Sequence, residues 1–128
     1  HGVDFVLECV EKMWGGELFV PKIPSYKILD LAKAIGPNCK QEIVGIRPGE
    51  KLHEQMIGYE DAATTFEYPE HYKILPVING WSEDPARIKD GVKVNPDFVY
   101  NSATNNDWMT KESLQAWLSE NEGKLGKI

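Results

Sequence analysis

At 128 residues, with 41% hydrophobic and 27% charged side chains, the chain holds enough apolar material for one packed domain and too much for a disordered tail. Its 14 Lys and Arg against 20 Asp and Glu leave a net charge of −6, which argues against nucleic acid or an acidic membrane as a partner. No apolar run is long enough to span a membrane and no charged-then-apolar leader opens the chain, so the cytoplasm is the expected location.

Val3, Val6, Leu7, Val10, Met13 and Trp14 recur at helical spacing, which predicts an amphipathic helix over 2–14 with that stripe turned inward. Phe5 and Cys9 form a smaller second apolar face off the stripe. Gly15-Gly16 stops the helix, and Glu17-Leu18-Phe19-Val20-Pro21 reads as a short strand. Ser25 is the predicted cap of a second helix with Ile28, Leu31, Ala32 and Ile35 inside, ended by Gly36-Pro37. A buried strand is expected over 41–46, followed by a helix from Pro48 or Gly49, because proline lacks the N–H that a first helical position leaves unpaired. Thr64–Tyr68 and Tyr72–Leu75 flank Pro69-Glu70 and read as a β-hairpin. Residues 77–97 hold many turn formers and few apolar anchors, and read as a long loop or excursion. Thr110 is the predicted cap of a last helix with Leu114, Trp117 and Leu118 on one face and Met109 placed to staple against Leu114; a frayed tail is expected after Asn121. This order predicts an α+β fold, a small mixed sheet with packed helices and a hairpin, in one domain over 1–128.

Two stretches stand out chemically. Arg47 falls at the predicted strand-to-helix corner, beside the amides of Gly49, Glu50 and Lys51. A guanidinium next to a helix N-terminus is an anion receptor, since its fork matches phosphate oxygens and the amides point outward. Spacing alone favours the plainer reading, in which Arg47 pairs with Glu50 or Glu54 and steadies the corner. The second stretch is Tyr100–Trp108, where Ser102, Thr104, Asn105 and Asn106 offer hydroxyl and amide groups suited to a ribose or diphosphate. Composition alone reads it as a capped loop entering the last helix. His53-Glu54 lacks the second histidine of a zinc-protease motif, because position 57 is Ile57. His1, His53 and His71 are scattered, Cys9 and Cys39 have neither metal nor redox spacing, and no serine has a base at a fixed offset. No catalytic residue and no metal ligand is assigned.

Arg47-Pro48-Gly49-Glu50-Lys51-Leu52-His53-Glu54 resembles the corresponding segment of the UDP-N-acetylglucosamine 4,6-dehydratases, extended short-chain dehydrogenase/reductase enzymes of pseudaminic-acid, capsule and O-antigen synthesis. Gly2–Leu7, Gly15–Ser25, Asp30–Ala34, Tyr100–Ser102 and Thr104–Trp108 are similar to that family in the same order, with the weakest likeness between Gly58 and Val94. The resemblance implies the C-terminal substrate domain of a longer enzyme; a chain that opens at His1 without methionine and matches from Gly2 onward is expected to be a truncated, clipped or excerpted product. In the full-length relatives NADP oxidises C4 of the sugar, water leaves across C5–C6 and hydride returns to C6. The cofactor half carries a Gly-rich turn and a Tyr-x-x-x-Lys pair, and neither pattern occurs here, so no cofactor is expected in this chain. The resemblance places Arg47 on the diphosphate of a UDP-sugar, held weakly, with Ser102, Thr104, Asn105 and Asn106 on the nucleotide side. Ala103 stands where an acidic residue is expected. A homo-oligomer, motivated by the Phe5/Cys9 face, or a separate cofactor-domain partner would complete it. The competing hypotheses are a stand-alone oligomeric interaction module that kept the fold without the chemistry, and an unrelated enzyme using His53 and Glu54 as acid and base.

Overall fold

The hairpin at Pro69-Glu70 seeds the larger sheet. β3 (Thr65–Glu67) and β4 (His71–Ile74) pair antiparallel with Thr65 opposite Ile74, Phe66 opposite Lys73 and Glu67 opposite Tyr72. The Tyr68 N–H closes the turn on the His71 carbonyl at 2.9 Å. β1 (Leu18–Pro21) adds to the other edge of β4, and β5 (Val92–Lys93) to the free edge of β3, giving the order β1-β4-β3-β5. Because side chains alternate along a strand, Tyr72 and Ile74 join Val20, Ile57 and Tyr100 in the core on one face, with Val94 and Phe98 packed against them. His71 and Lys73 go to the other face with Phe19, where α1 (Gly2–Lys12) meets them through Phe5, whose ring centroid lies 6.0 Å from that of His71. A second ladder joins β2 (Gln55–Ile57) to β6 (Tyr100–Asn101) with a register irregularity.

The computed structural model describes residues 2–125, which divide into two compact units. The first comprises the segment up to Lys22 together with Gln55–Asn101 and holds both ladders; the second comprises Ile23–Glu54 and the segment from Ser102 onward. In the second unit α2 (Ile28–Ile35) packs on α4 (Lys111–Leu125), whose Leu114 is buried. Thr110 caps α4 as expected, its hydroxyl accepting from the Ser113 N–H at 3.2 Å. The α+β class holds. The ladders are antiparallel rather than mixed; only β3 and β4 are joined by a short hairpin connection, and the parallel pairing recorded among the described residues is an isolated bridge between Ser25 and Trp108.

Several expectations are corrected. The stripe on α1 faces outward: Val3, Val6, Leu7, Val10, Met13 and Trp14 are all at least half exposed, while Phe5 and Cys9 are the partly covered pair. At about 100° per residue the centres of the two sets lie roughly 130° apart, and the sheet face that meets α1 offers the His71 ring to Phe5. Ser25 does not cap α2. Its backbone and hydroxyl are committed to the 105–109 segment, and Lys27 holds the cap position without a side-chain bond. Residues 41–46 form no strand; Ile43 and Val44 are 80% and 77% exposed. Nor does a helix begin at Pro48. The Glu50 N–H closes a turn on the Arg47 carbonyl at 3.0 Å, with Gly49 at φ 88° in its third position, a type II turn that the Pro-Gly pair dictates. The 77–97 excursion contains two short 3-10 turns, the one-turn helix α3 (Pro85–Ile88) and β5. Asp84 caps α3, its carboxylate accepting from the Ala86 N–H, and Pro85 occupies the first helical position. The last helix continues to Leu125 rather than fraying after Asn121, and the remainder of that predicted tail lies outside the described residues, as does His1.

Candidate functional site

Without a helix behind it, the Arg47 corner has no helix dipole to offer an anion. Its backbone N–H donates to the Glu50 carboxylate at 2.8 Å, so Glu50 steadies the turn through the main chain. The Arg47 side chain stays exposed and makes no ion pair with Glu50 or Glu54 among the described residues. A guanidinium on an exposed turn, without an ion pair among the described residues, keeps its fork available for a bidentate oxyanion.

The two stretches singled out by sequence meet at their near ends. The Ser102 N–H donates to the Glu54 carbonyl at 2.8 Å, and the Glu54 N–H donates back to the Ser102 hydroxyl at 3.1 Å. That hydroxyl also lies 3.5 Å from Nδ1 of His53. Ser102 is thus the hinge between the Arg47–Glu54 segment and the 102–108 loop. Thr104 and Asn106 are exposed on that loop.

Asn105 does something else. Its amide nitrogen donates to the Ile23 carbonyl at 2.8 Å and to the Ser25 hydroxyl at 3.1 Å, its amide oxygen accepts from the Asp107 N–H, and its carbonyl accepts from the Trp108 indole N–H at 2.6 Å. The neighbouring strand-like bridge is completed by Ser25 N–H to Asp107 and Met109 N–H to Ser25, both 2.8 Å. Asn105 is therefore the frame of the loop, and its partner Ser25 is a residue that sequence reasoning assigned to a different task. An asparagine two residues before an aspartate is the pattern of an Asx turn and gave the available signal.

A charged cluster in the first unit escaped the sequence. Glu17, with a fully buried carboxylate, accepts from the Trp14 and Gly15 N–H groups at 3.0 and 2.7 Å and faces Arg87 at 3.5 Å. Burial pushes its carboxyl up, but those backbone bonds and the Arg87 charge overcome it and hold the group below the ordinary glutamate value. The Arg87 guanidinium lies over the rings of Trp14 and Trp81, 5.4 and 3.9 Å from their centroids. Lys73 beside it is only 6% exposed.

These residues do not fit a dinucleotide. The strands are antiparallel, and the left-handed glycine pair Gly15-Gly16 leads into β1 rather than out of a strand into a helix. No group of three metal-binding side chains gathers among the described residues, and no helix there is long and apolar enough to cross a membrane.

The family described as polysaccharide biosynthesis protein matches residues 1–76. The UDP-N-acetylglucosamine 4,6-dehydratase (inverting) of Campylobacter jejuni is 44% identical over 95% of this chain, which spans only 38% of that enzyme. The UDP-glucose 4-epimerase of Rickettsia canadensis is 36% identical over 56% of the chain and 22% of its own length. In fold, the chain is similar to Pen from Bacillus thuringiensis, with a TM-score of 0.72 and 22% identity over 91% of this chain and 34% of that one. With its Arg47 turn inside the matched region, the chain belongs to the polysaccharide biosynthesis protein family.

Proposed function

We propose that this chain is the sugar-nucleotide-recognition portion of a UDP-N-acetylglucosamine 4,6-dehydratase-like protein, binding a UDP-linked sugar without performing catalysis on its own. Arg47 grips the diphosphate, Ser102, Thr104 and Asn106 line the nucleotide side, and Asn105 shapes the loop that presents them. The observation that carries this reading is the reciprocal hydrogen bonding of Glu54 and Ser102, which joins the Arg47–Glu54 segment to the 102–108 loop. The similarity to the Campylobacter enzyme, which extends over 95% of the chain, supports it. Redox chemistry with NADP is assigned to the part of the relatives that lies beyond this match.

One charge-assisted contact of this kind contributes about 1.5–3 kcal/mol, so half a pocket implies a dissociation constant on the order of millimolar. The test is a UDP titration followed by NMR. Saturable shifts at Arg47 and Asn106 are expected, with binding weakened about 10-fold or more in Arg47→Ala. No change at Arg47 or in the 102–106 loop at high-millimolar UDP overturns the assignment.

A second reading rests on α1. Its outward stripe of Val3, Val6, Leu7 and Val10 is a continuous apolar surface of the sort that packs on another subunit, and it supports the oligomeric interaction module. Sedimentation analysis separates the two: concentration-dependent association abolished by Leu7→Glu, with UDP binding absent, would favour the module.

A further inference from the structure

On the α1 side of the larger sheet lies a cavity of about 390 Å³, walled by the rings of Phe5, Phe19, Tyr68 and His71 with Lys73 among them. This volume falls in the range of small-molecule sites. The walls are built rather than incidental. Tyr68 and His71 stack with centroids 4.8 Å apart and planes 6° from parallel. The Tyr68 hydroxyl donates to the Ile88 carbonyl at 2.6 Å, and Gly91 leaves the ring its place, since a Cβ there would fall 2.5 Å from it. Lys89, also on the rim, holds a φ of 51° that a side chain rarely adopts, the type of local strain that collects at ligand sites.

Lys73 is the group that needs explaining. The residue as a whole is 94% buried; its ammonium donates to the Arg87 carbonyl at 3.1 Å and otherwise lies 5.3 and 4.9 Å from the Phe19 and Tyr68 ring centroids. The carboxylates of Glu17 and Asp84 are both turned on Arg87. No carboxylate pairs with Lys73 among the described residues. Glu17 acts on Lys73 only through space, without an ion pair, and a buried cation lacking a direct anionic contact is costly; ring faces offset only part of that cost.

We propose that the cavity binds a small aromatic carboxylate, its ring among Phe5, Phe19 and the Tyr68–His71 stack and its carboxylate on the Lys73 ammonium. A neutral ring would leave the ammonium without a direct carboxylate contact. A dianion would meet the rim carboxylates Glu70 and Asp90, which are exposed, and Glu8, which Lys12 already engages at 3.4 Å. A planar monoanion satisfies both the walls and the floor. The site uses none of the residues of the proposed nucleotide site.

The test compares benzoate with benzyl alcohol on the full chain by NMR titration, with dispersed Ile57 and Leu75 amide signals reporting the fold. Expected are saturable benzoate shifts at Phe19, Tyr68 and His71, and benzoate binding about 10-fold tighter than the alcohol. Lys73→Met should bring benzoate down to the level of the alcohol and leave the alcohol unchanged. Should that variant not fold, Phe5→Ala removes a wall from outside the sheet and should weaken both ligands several-fold. Equal binding of the two probes by the wild type, or no shift at Tyr68 and His71 at high-millimolar benzoate, overturns the proposal.

Discussion

Thr65–Tyr68 and Ile43–Ile46 carry the same kind of message in sequence, short and rich in β-branched or large apolar side chains. The first becomes the centre of a sheet, flanked on both edges and buried at Thr65 and Phe66. The second joins no ladder, bends at Gly45 (φ 84°) and stays exposed. What separates them is a ladder partner. Thr65–Glu67 finds one four residues away across Pro69-Glu70, at little loop-closure cost, whereas Ile43–Ile46 is followed by a type II turn that sends the chain onward without a returning strand. Apolar pattern licenses a strand; a neighbour within reach makes one.

Substitutions can test how deep that difference runs. The largest effect is expected at Arg87, which ties the 77–97 excursion to the sheet region. Arg87→Ala removes the cation between Trp14 and Trp81 and leaves the Glu17 carboxylate buried without its counter-charge. A loss of about 3–5 kcal/mol in urea unfolding is expected. Next is Leu75→Ala, just after β4, where a side chain 1% exposed is cut back inside packed surroundings. About 2–4 kcal/mol should be lost, measured as a lower urea midpoint at unchanged slope.

Those two residues also mark where the sequence was legible. The hairpin, the first helix, the Gly15-Gly16 stop and the Thr110 cap could be read because each is specified by residues within a few positions of one another. The Arg87 anchor could not, because its partners Trp14 and Glu17 come from some 70 residues away and nothing in local spacing links them. For the same reason the 77–97 segment read as loop: it is held by cation–ring contacts and Asp84 capping rather than by a periodic apolar face. The orientation of α1 failed differently. Its larger stripe is real, but periodicity names a face and not what covers it. At the candidate site the resemblance located the Arg47 turn and the 102–106 loop, while the division of labour inside the loop, with Asn105 as frame, depended on Ser25 and Ile23 arriving from the other end of the chain.

A smaller effect is expected from pH. Burial, then the charges of Lys73 and Lys12, hold His71 below its ordinary value, with Glu8 opposing and Lys22 adding slightly. As pH falls through about 6.5 the unfolded chain takes up this proton before the folded one does. Stability is therefore full above that pH and declines on acidification toward the lower folded value. His71→Gln should flatten the decline in that window. An unchanged slope would mean that another group supplies it.

The smallest effect is the sharpest test of the opening contrast. Val44→Ala removes as much hydrocarbon as many core substitutions do, yet Val44 is 77% exposed and in no ladder. Stability should change by less than about 0.5 kcal/mol, against the several expected at Leu75. A loss at Val44 comparable to that at Leu75 would mean that the 43–46 segment finds a partner after all, and the two stretches would then differ in where their neighbour comes from rather than in whether they have one.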